Sequence, residues 1–269
     1  MRLAWATDIH LNFLDLAGRR EFLEPIGNQA DALLVTGDIA DGRTLTGVLD
    51  QMAFTLKMPI YFVLGNHDYY HSSIARTRAE VAQLVAEFPS LIYLSQAGVV
   101  EMTPTTALVG HDGWGDARLG DFERSNVRLN DFELIDELRL WRGMRVLDKP
   151  ALAVNLRALA DEAAAHLRDV LPRAAARFSR VLVATHVPPF REAAWYKGSP
   201  SADDWLPYFS CKAVGDVLLE VAQANPSCRI TVLCGHTHGG GEVQMLENLR
   251  VLTGPAMYRE PVVQQVLEA

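Results

Sequence analysis

Five short apolar runs in this chain each end in Asp, Asn or His. The runs at 3–7, 32–36, 60–64, 181–185 and 229–234 lead into Asp8-Ile9-His10, Gly37-Asp38-Ile39-Ala40-Asp41, Gly65-Asn66-His67-Asp68, His186 and Gly235-His236-Thr237-His238. Runs of this kind, with a sixth at 107–110, read as buried strands. Between several of them the apolar spacing turns helical. Leu45, Val48, Leu49, Met52 and Leu56 share one face of a helix expected over 43–57, and Leu152, Leu156, Leu159, Ala163, Leu167 and Val170 one face over about 150–170. A shorter helix over 213–224 would bury Val214, Val217, Leu218 and Val221. Strand–helix alternation predicts an α/β fold. In an open α/β sheet the site lies beyond the carboxyl ends of the strands. Parallel strands would bring all five polar endings to one place, and their glycines let the backbone turn sharply there.

The remainder is less regular. Residues 242–246, 248–253 and 262–267 read as an antiparallel meander. The segment 111–148 holds Gly, Asp, Arg and Trp residues with a helix expected near 131–141. No repeat, low-complexity run or Pro/Gly/Ser linker divides the chain. The expectation is one domain over 1–269 with an irregular insertion at 111–148.

Asp carboxylates, neutral imidazoles and an Asn carbonyl suit divalent ions of intermediate hardness, such as Mn, Fe, Zn or Co. Asp8, His10, Asp38, Asn66, His186, His236 and His238 are too many for one tetrahedral ion and suit two if Asp38 bridges. Two ions about 3.5–4 Å apart are a known device for hydrolysing phosphate esters. Asp-x-His alone carries little information. Gly-His-x-His is expected by chance roughly 0.02 times in a chain of this composition, and Gly-Asn-His-Asp roughly 0.001 times.

Taken in order across residues 8–238, Asp-x-His, Gly-Asp-x-x-Asp, Gly-Asn-His-Asp, a lone His and Gly-His-x-His resemble the calcineurin-like metallophosphoesterase superfamily. The resemblance implies two mixed β-sheets packed as a sandwich flanked by helices, four layers in all, with a dinuclear centre at the strand ends. It implies Asp8, His10 and His238 for one ion, Asn66, His186 and His236 for the other, and Asp38 as the bridge. His67 would be the catalytic histidine beside the leaving group, and Asp41 would orient it and favour its protonated form. The reaction implied is hydrolysis of a small phosphodiester or phosphomonoester by a metal-bound hydroxide. Thr185 stands where Gly often precedes the lone His. Thr185-His186-Val187-Pro188-Pro189 is more similar to bacterial phosphodiesterase-like branches than to eukaryotic protein phosphatases.

A protein serine/threonine phosphatase is the alternative within this class. Outside it stand a non-catalytic metal-binding scaffold and a DNA nuclease. A degenerate scaffold would lack ligands or the catalytic His, and here all are present. The formal net charge of −8 over 269 residues, with no basic stripe, disfavours a nucleic-acid partner. It does not disfavour a small phosphoester, because two bound ions would add about +4 locally. Candidate substrate contacts are His111, which follows a strand end, and Arg118 and Arg43, whose guanidinium groups could pair with phosphate oxygens. Arg124 and Arg128 are similar candidates. Trp114, Trp195, Tyr196, Trp205, Tyr208 and Phe209 either line a lid or cap the edge of the core. Asp68 reads as a turn residue, His71 as exposed and His166 as structural.

Cys211, Cys228 and Cys234 form neither a disulfide framework nor a Cys-x-x-Cys pair, which fits reduced thiols. Residues 1–7 do not read as a signal peptide, and no apolar stretch approaches the roughly 18 residues that span a bilayer. A cytoplasmic protein without a membrane partner is expected. The pattern says nothing of oligomeric state.

Overall fold

The computed structural model describes residues 1–142 and 146–269; of the segment 111–148, residues 143–145 lie outside the described part. The first sheet contains β1 (Arg2–Ala6), β2 (Ala32–Thr36), β3 (Ile60–Val63) and β4 (Leu91–Tyr93), all parallel. The second contains β5 (Val100–Thr103), β6 (Thr106–Gly110), β7 (Arg180–Ala184), β8 (Arg229–Cys234), β9 (Gly241–Leu246) and β10 (Leu249–Thr253). Its order is β9-β10-β8-β7-β6-β5, with a parallel centre and antiparallel edges. The last strand, β11 (Val263–Glu268), returns to the first sheet and pairs antiparallel with β1.

The layering follows from side-chain alternation. In β1, Leu3 and Trp5 enter the core between the sheets, while Ala4 and Ala6 face the helices. In β2, Ala32 and Leu34 point inward and Leu33 and Val35 outward. In β7, Leu182 and Ala184 meet the same central core, while Val181 and Val183 face the opposite helical layer. Strands buried on both faces need apolar residues at every position, which is why they read as unbroken runs. Helix, sheet, sheet and helix form the four layers.

Four of the helices are long enough to cover a sheet: α1 (Leu45–Leu56), α2 (Ile74–Glu87), α3 (Lys149–Arg177) and α4 (Lys212–Ala224). The five apolar residues expected on one face of α1 are all buried. Ser73 caps α2 by accepting from the Arg76 N–H, and Asp148 caps α3 through the Ala151 N–H. The helix α3 runs past its expected end near 170 and through Pro172, because Leu171, Ala174 and Ala175 continue the buried stripe. No helix among the described residues is long and apolar enough to cross a membrane.

Two sequence expectations are corrected here. The helix near 131–141 is only one turn, Asp131–Leu134, followed by a 3₁₀ turn, Asp136–Leu138. The C-terminal strands are not a meander: β9 and β10 form a hairpin, but β11 crosses to the other sheet. Without β11, β1 would present an apolar open edge, and covering such an edge is the physical gain of the crossing. The crossing carries residues 254–262 over the carboxyl ends of the strands.

Candidate metal centre

Five of the seven residues expected to hold ions leave their strands in left-handed backbone. Asp8, His10, Asp38, His236 and His238 have φ of 50°, 41°, 52°, 71° and 56°. Such conformations cost non-glycine residues of order 1–3 kcal/mol each and persist only where the surroundings enforce them. The enforcement is visible. Asp8 N–H donates to Gly37 O at 3.0 Å, and His10 N–H donates to Asp38 O at 2.9 Å. His236 N–H donates to both Asp8 carboxylate oxygens at 3.1 Å. Gly65 must be glycine: a Cβ there would press on the Asp38 carboxylate and lie 2.7 Å from His186 Cε1.

Two groups of ligand atoms result, and Asp38 belongs to both. On one side, His10 Nε2 lies 3.3 Å from His238 Nε2 and 3.7 Å from Asp38 Oδ2, and His238 Nε2 lies 3.4 Å from Asp8 Oδ1. One ligand atom from each of these four residues falls within 4.8 Å of the others. On the other side, Asn66 Oδ1 lies 3.2 Å from His186 Nε2 and 3.0 Å from His236 Nδ1, and the two nitrogens are 3.2 Å apart. Asp38 Oδ1 is 3.5 Å from His186 Nε2.

The second group has no proton to share. His186 Nδ1 sits 2.8 Å from Thr36 O, and His236 Nε2 sits 3.2 Å from Tyr208 O. A carbonyl only accepts, so each ring carries its proton on that outer nitrogen and turns a lone pair inward. Asn66 spends its amide N–H groups on Asp131 and Tyr70. Three acceptors therefore converge at contact distance, an arrangement that fits a cation and is unfavourable otherwise.

Electrostatics agree. Burial, helped by the neighbouring imidazoles, pushes His10 down to about 2 and His236 to about 3. Burial thus holds these two rings toward the neutral form that metal ligation requires, whereas at His238 burial is outweighed by the Asp8 carboxylate, which pushes that ring up. Burial and the nearby Asp8 carboxylate push Asp38 well above the usual range. Burial also opposes the Asp8 charge, but the His238 hydrogen bond and surrounding imidazoles win and hold Asp8 low.

His67 joins this cluster. Its N–H donates to Asp38 Oδ1 at 2.9 Å, and its Nε2 lies 3.9 Å from Asp38 Oδ2. Its ring is 4.6 Å from His10 and 4.2 Å from Tyr70. Burial pushes it down to about 3, although Asp8 and Asp41 favour its charge. Burial thus works against the protonated form that the resemblance implies for this ring, and the two carboxylates work for it.

Asp41 is not placed as an orienting partner by its hydrogen bonds. Its Oδ1 accepts from the Arg43 and Thr44 N–H groups at 3.1 Å and from the Thr44 hydroxyl at 2.9 Å, at the entry to α1. The three expected substrate contacts lie elsewhere. His111 is buried, its ring 5.3 Å from that of His166. Arg118 is paired with Asp116 at 3.2 Å and Asp161 at 2.8 Å. Arg43 is exposed in a separate groove with His71 and Arg76. Strand ends alone could not reveal that β6 delivers His111 into packing, or that nearby carboxylates take the Arg118 guanidinium. Asp68 is fully buried and bonds Ala40 N–H and Gly65 N–H at 2.8 Å, so it clamps the Asp38 and Asn66 loops together.

A cleft of about 330 Å³ opens above Asp38, His67, His236 and His238, walled by Tyr70, Tyr196, Trp205, Phe209 and Tyr258 with Arg128 and Asp131. Trp205 and Tyr196 are therefore cleft residues, whereas Trp114 belongs to the core. Tyr258 was not legible from sequence. It rides on the sheet-crossing segment, with its ring 4.6 Å from His10 and 5.0 Å from His238. Phe13 packs edge-on against it at 5.3 Å.

The chain belongs to the calcineurin-like phosphoesterase family, which it matches over residues 1–240. It is a metal-dependent hydrolase of phosphoesters. Among solved structures it is similar to the phosphopantetheinyl hydrolase of Mycobacterium tuberculosis, with 15% identity and a TM-score of 0.65 over 96% of this chain and 89% of the other. A dimetal phosphatase from Danio rerio is 17% identical with a TM-score of 0.58, over 95% and 87%. At such identities the likeness is one of fold. No curated protein matches the sequence significantly.

Proposed function

We propose that this chain hydrolyses a small phosphodiester or phosphomonoester at two ions, each Mn, Fe, Zn or Co. Asp8, His10 and His238 would hold one, Asn66, His186 and His236 the other, and Asp38 would bridge them. The observation that carries this reading is the pair of converging ligand groups on either side of the Asp38 carboxylate. When bound, the ions supply Lewis acidity to the phosphoryl oxygens and an acidified water as nucleophile.

The protein's own groups do the rest. Asp38 presents one oxygen to each ligand group, which sets the spacing between them. His67 would direct its N–H at the leaving oxygen and, when protonated, give up that proton; burial opposes the charge and Asp8 and Asp41 favour it. Asp41 adds a favourable field at that ring and shapes the loop behind it. The aromatic walls, three of them half-exposed, offer ring faces that fit a substrate with a flat or apolar organic group. Arg128 is the one cation among the residues described along the cleft. Together with the −8 charge this favours a small substrate over a nucleic-acid strand. The three buried free thiols fit a reducing, cytoplasmic setting.

The test is turnover by purified, metal-analysed protein on bis-p-nitrophenyl phosphate, p-nitrophenyl phosphate, cyclic nucleotides and a phosphopeptide. Hydrolysis of a small ester with Mn²⁺, Fe²⁺, Zn²⁺ or Co²⁺ supports the proposal. Preference for the phosphopeptide would favour a protein phosphatase. No turnover with any of these ions contradicts the enzyme reading.

A further inference from the structure

Asn66 can serve the second ligand group only in one of its two amide orientations. With Oδ1 inward, it faces the lone pairs of His186 Nε2 and His236 Nδ1 across a space that a cation would fill. With Nδ2 inward, it would donate to those lone pairs and block the position. Something must choose between the two.

Asp131 is 3% exposed, and its Oδ1 accepts from Asn66 Nδ2 at 2.9 Å and from the Tyr70 hydroxyl at 2.8 Å. Asn66 Nδ2 also donates to the Tyr70 hydroxyl oxygen at 3.2 Å. The triangle assigns every proton: Tyr70 gives its proton to the carboxylate and receives one from the amide. A flipped Asn66 would set its oxygen against the Asp131 carboxylate, two acceptors facing each other in a buried site. We propose that Asp131 is a positioning residue that locks the Asn66 amide with its oxygen toward His186 and His236. The proposal rests on the metal-centre reading above.

The placement also gives the irregular segment 111–148 a task. Asp131 begins its one-turn helix, and that helix is docked on the chain just after His67. His71 N–H donates to Leu134 O at 2.7 Å, and Asp136 N–H donates to Ser72 O at 3.1 Å. The docking brings a carboxylate from 65 positions away onto a side chain of the Gly-Asn-His-Asp turn. Tyr70, in the same triangle, backs the His67 ring.

The experiment compares wild type, Asp131→Ala, Asp131→Asn and Tyr70→Phe as full-length protein. Mn²⁺ is titrated in, and bound metal per chain is counted by mass spectrometry and electron paramagnetic resonance. The wild type is expected to bind two ions. Asp131→Ala should keep one and lose about 10–100-fold in affinity for the other, the usual effect of removing a group that orients a ligand. Asp131→Asn retains an acceptor oxygen and should recover most of that loss, and Tyr70→Phe should lose less than Asp131→Ala. Two ions at wild-type affinity in Asp131→Ala would overturn the proposal. So would equal loss of both ions with a lower melting temperature in all three variants, since that describes a merely structural role. A second readout stands apart from metal. In apo wild-type NMR spectra the Asn66 side-chain amide protons should exchange slowly, and Asp131→Ala should release them. Slow exchange unchanged by the substitution contradicts the lock, whereas failure of the wild type to bind two ions contradicts the metal centre instead.

Discussion

His67 and Asp41 stand three residues after Asn66 and Asp38 or closer, yet the fold uses them differently. His67 puts its ring over Asp38, within reach of the first ligand group. His67→Ala is expected to lower turnover by about 10²–10⁴-fold, the usual range for a group that handles a proton or hydrogen bond in the transition state. Bound metal should remain at the wild-type count, measured on the same sample by elemental analysis. Asp41 instead holds the turn into α1. Asp41→Ala should cost about 0.5–2 kcal/mol of stability in urea denaturation, as for a lost helix cap. Its effect on turnover should be well below that of His67→Ala; an equal loss would restore the orienting role. Spacing in sequence identifies residues of the right type at a strand end. It does not say which hydrogen bonds they will make once two loops meet.

At the scale of elements, the strand-end loops are tied to one another by carboxylates that no motif singles out. Asp112 is fully buried at the end of β6 and accepts from Leu64 N–H at 2.7 Å, Tyr69 hydroxyl at 2.7 Å and Ser95 hydroxyl at 2.8 Å. Its backbone carbonyl accepts from His186 N–H at 2.9 Å, so one residue joins the loops of Asn66 and His186. Burial opposes its charge, but Arg78 and the surrounding hydrogen bonds win and hold the carboxyl below its ordinary 3.8. A carboxyl lowered by folding stabilises the fold above its unfolded value and loses that contribution as pH falls through the folded one. Asp112→Asn should therefore destabilise the metal-free protein by about 3–5 kcal/mol near neutral pH, as when a buried ion pair loses one partner. The gap in melting temperature from wild type should narrow below pH 4; a gap independent of pH would contradict this. The apolar runs made β1, β2, β3, β6, β7 and β8 legible, because strands buried on both faces leave no other pattern. The run of β4 is too short to stand out, at 3 residues, and β5, Val-Glu-Met-Thr, lies at a sheet edge where polar residues break the apolar run. The segment 262–267 reads as a strand but does not reveal its partner, since pairing is set by which edge is open. Tyr258 followed from that crossing and was invisible for the same reason.

Over the whole molecule, the centre joins the two sheets. Asp8, Asp38 and Asn66 come from one sheet and His186, His236 and His238 from the other, so bound ions would link the two halves. Ligands that bind only the folded chain stabilise it by mass action, about 2.7 kcal/mol at a hundredfold excess over Kd. Chelation should lower the melting temperature, and Asp38→Ala should abolish that difference along with activity. The most direct test of the shared Asp38 is anomalous X-ray scattering from crystals grown with Mn²⁺ or Zn²⁺. Two peaks about 3.5–4 Å apart, one on each side of the Asp38 carboxylate, are the predicted result. A single peak, or metal bound away from Asp38, would contradict it.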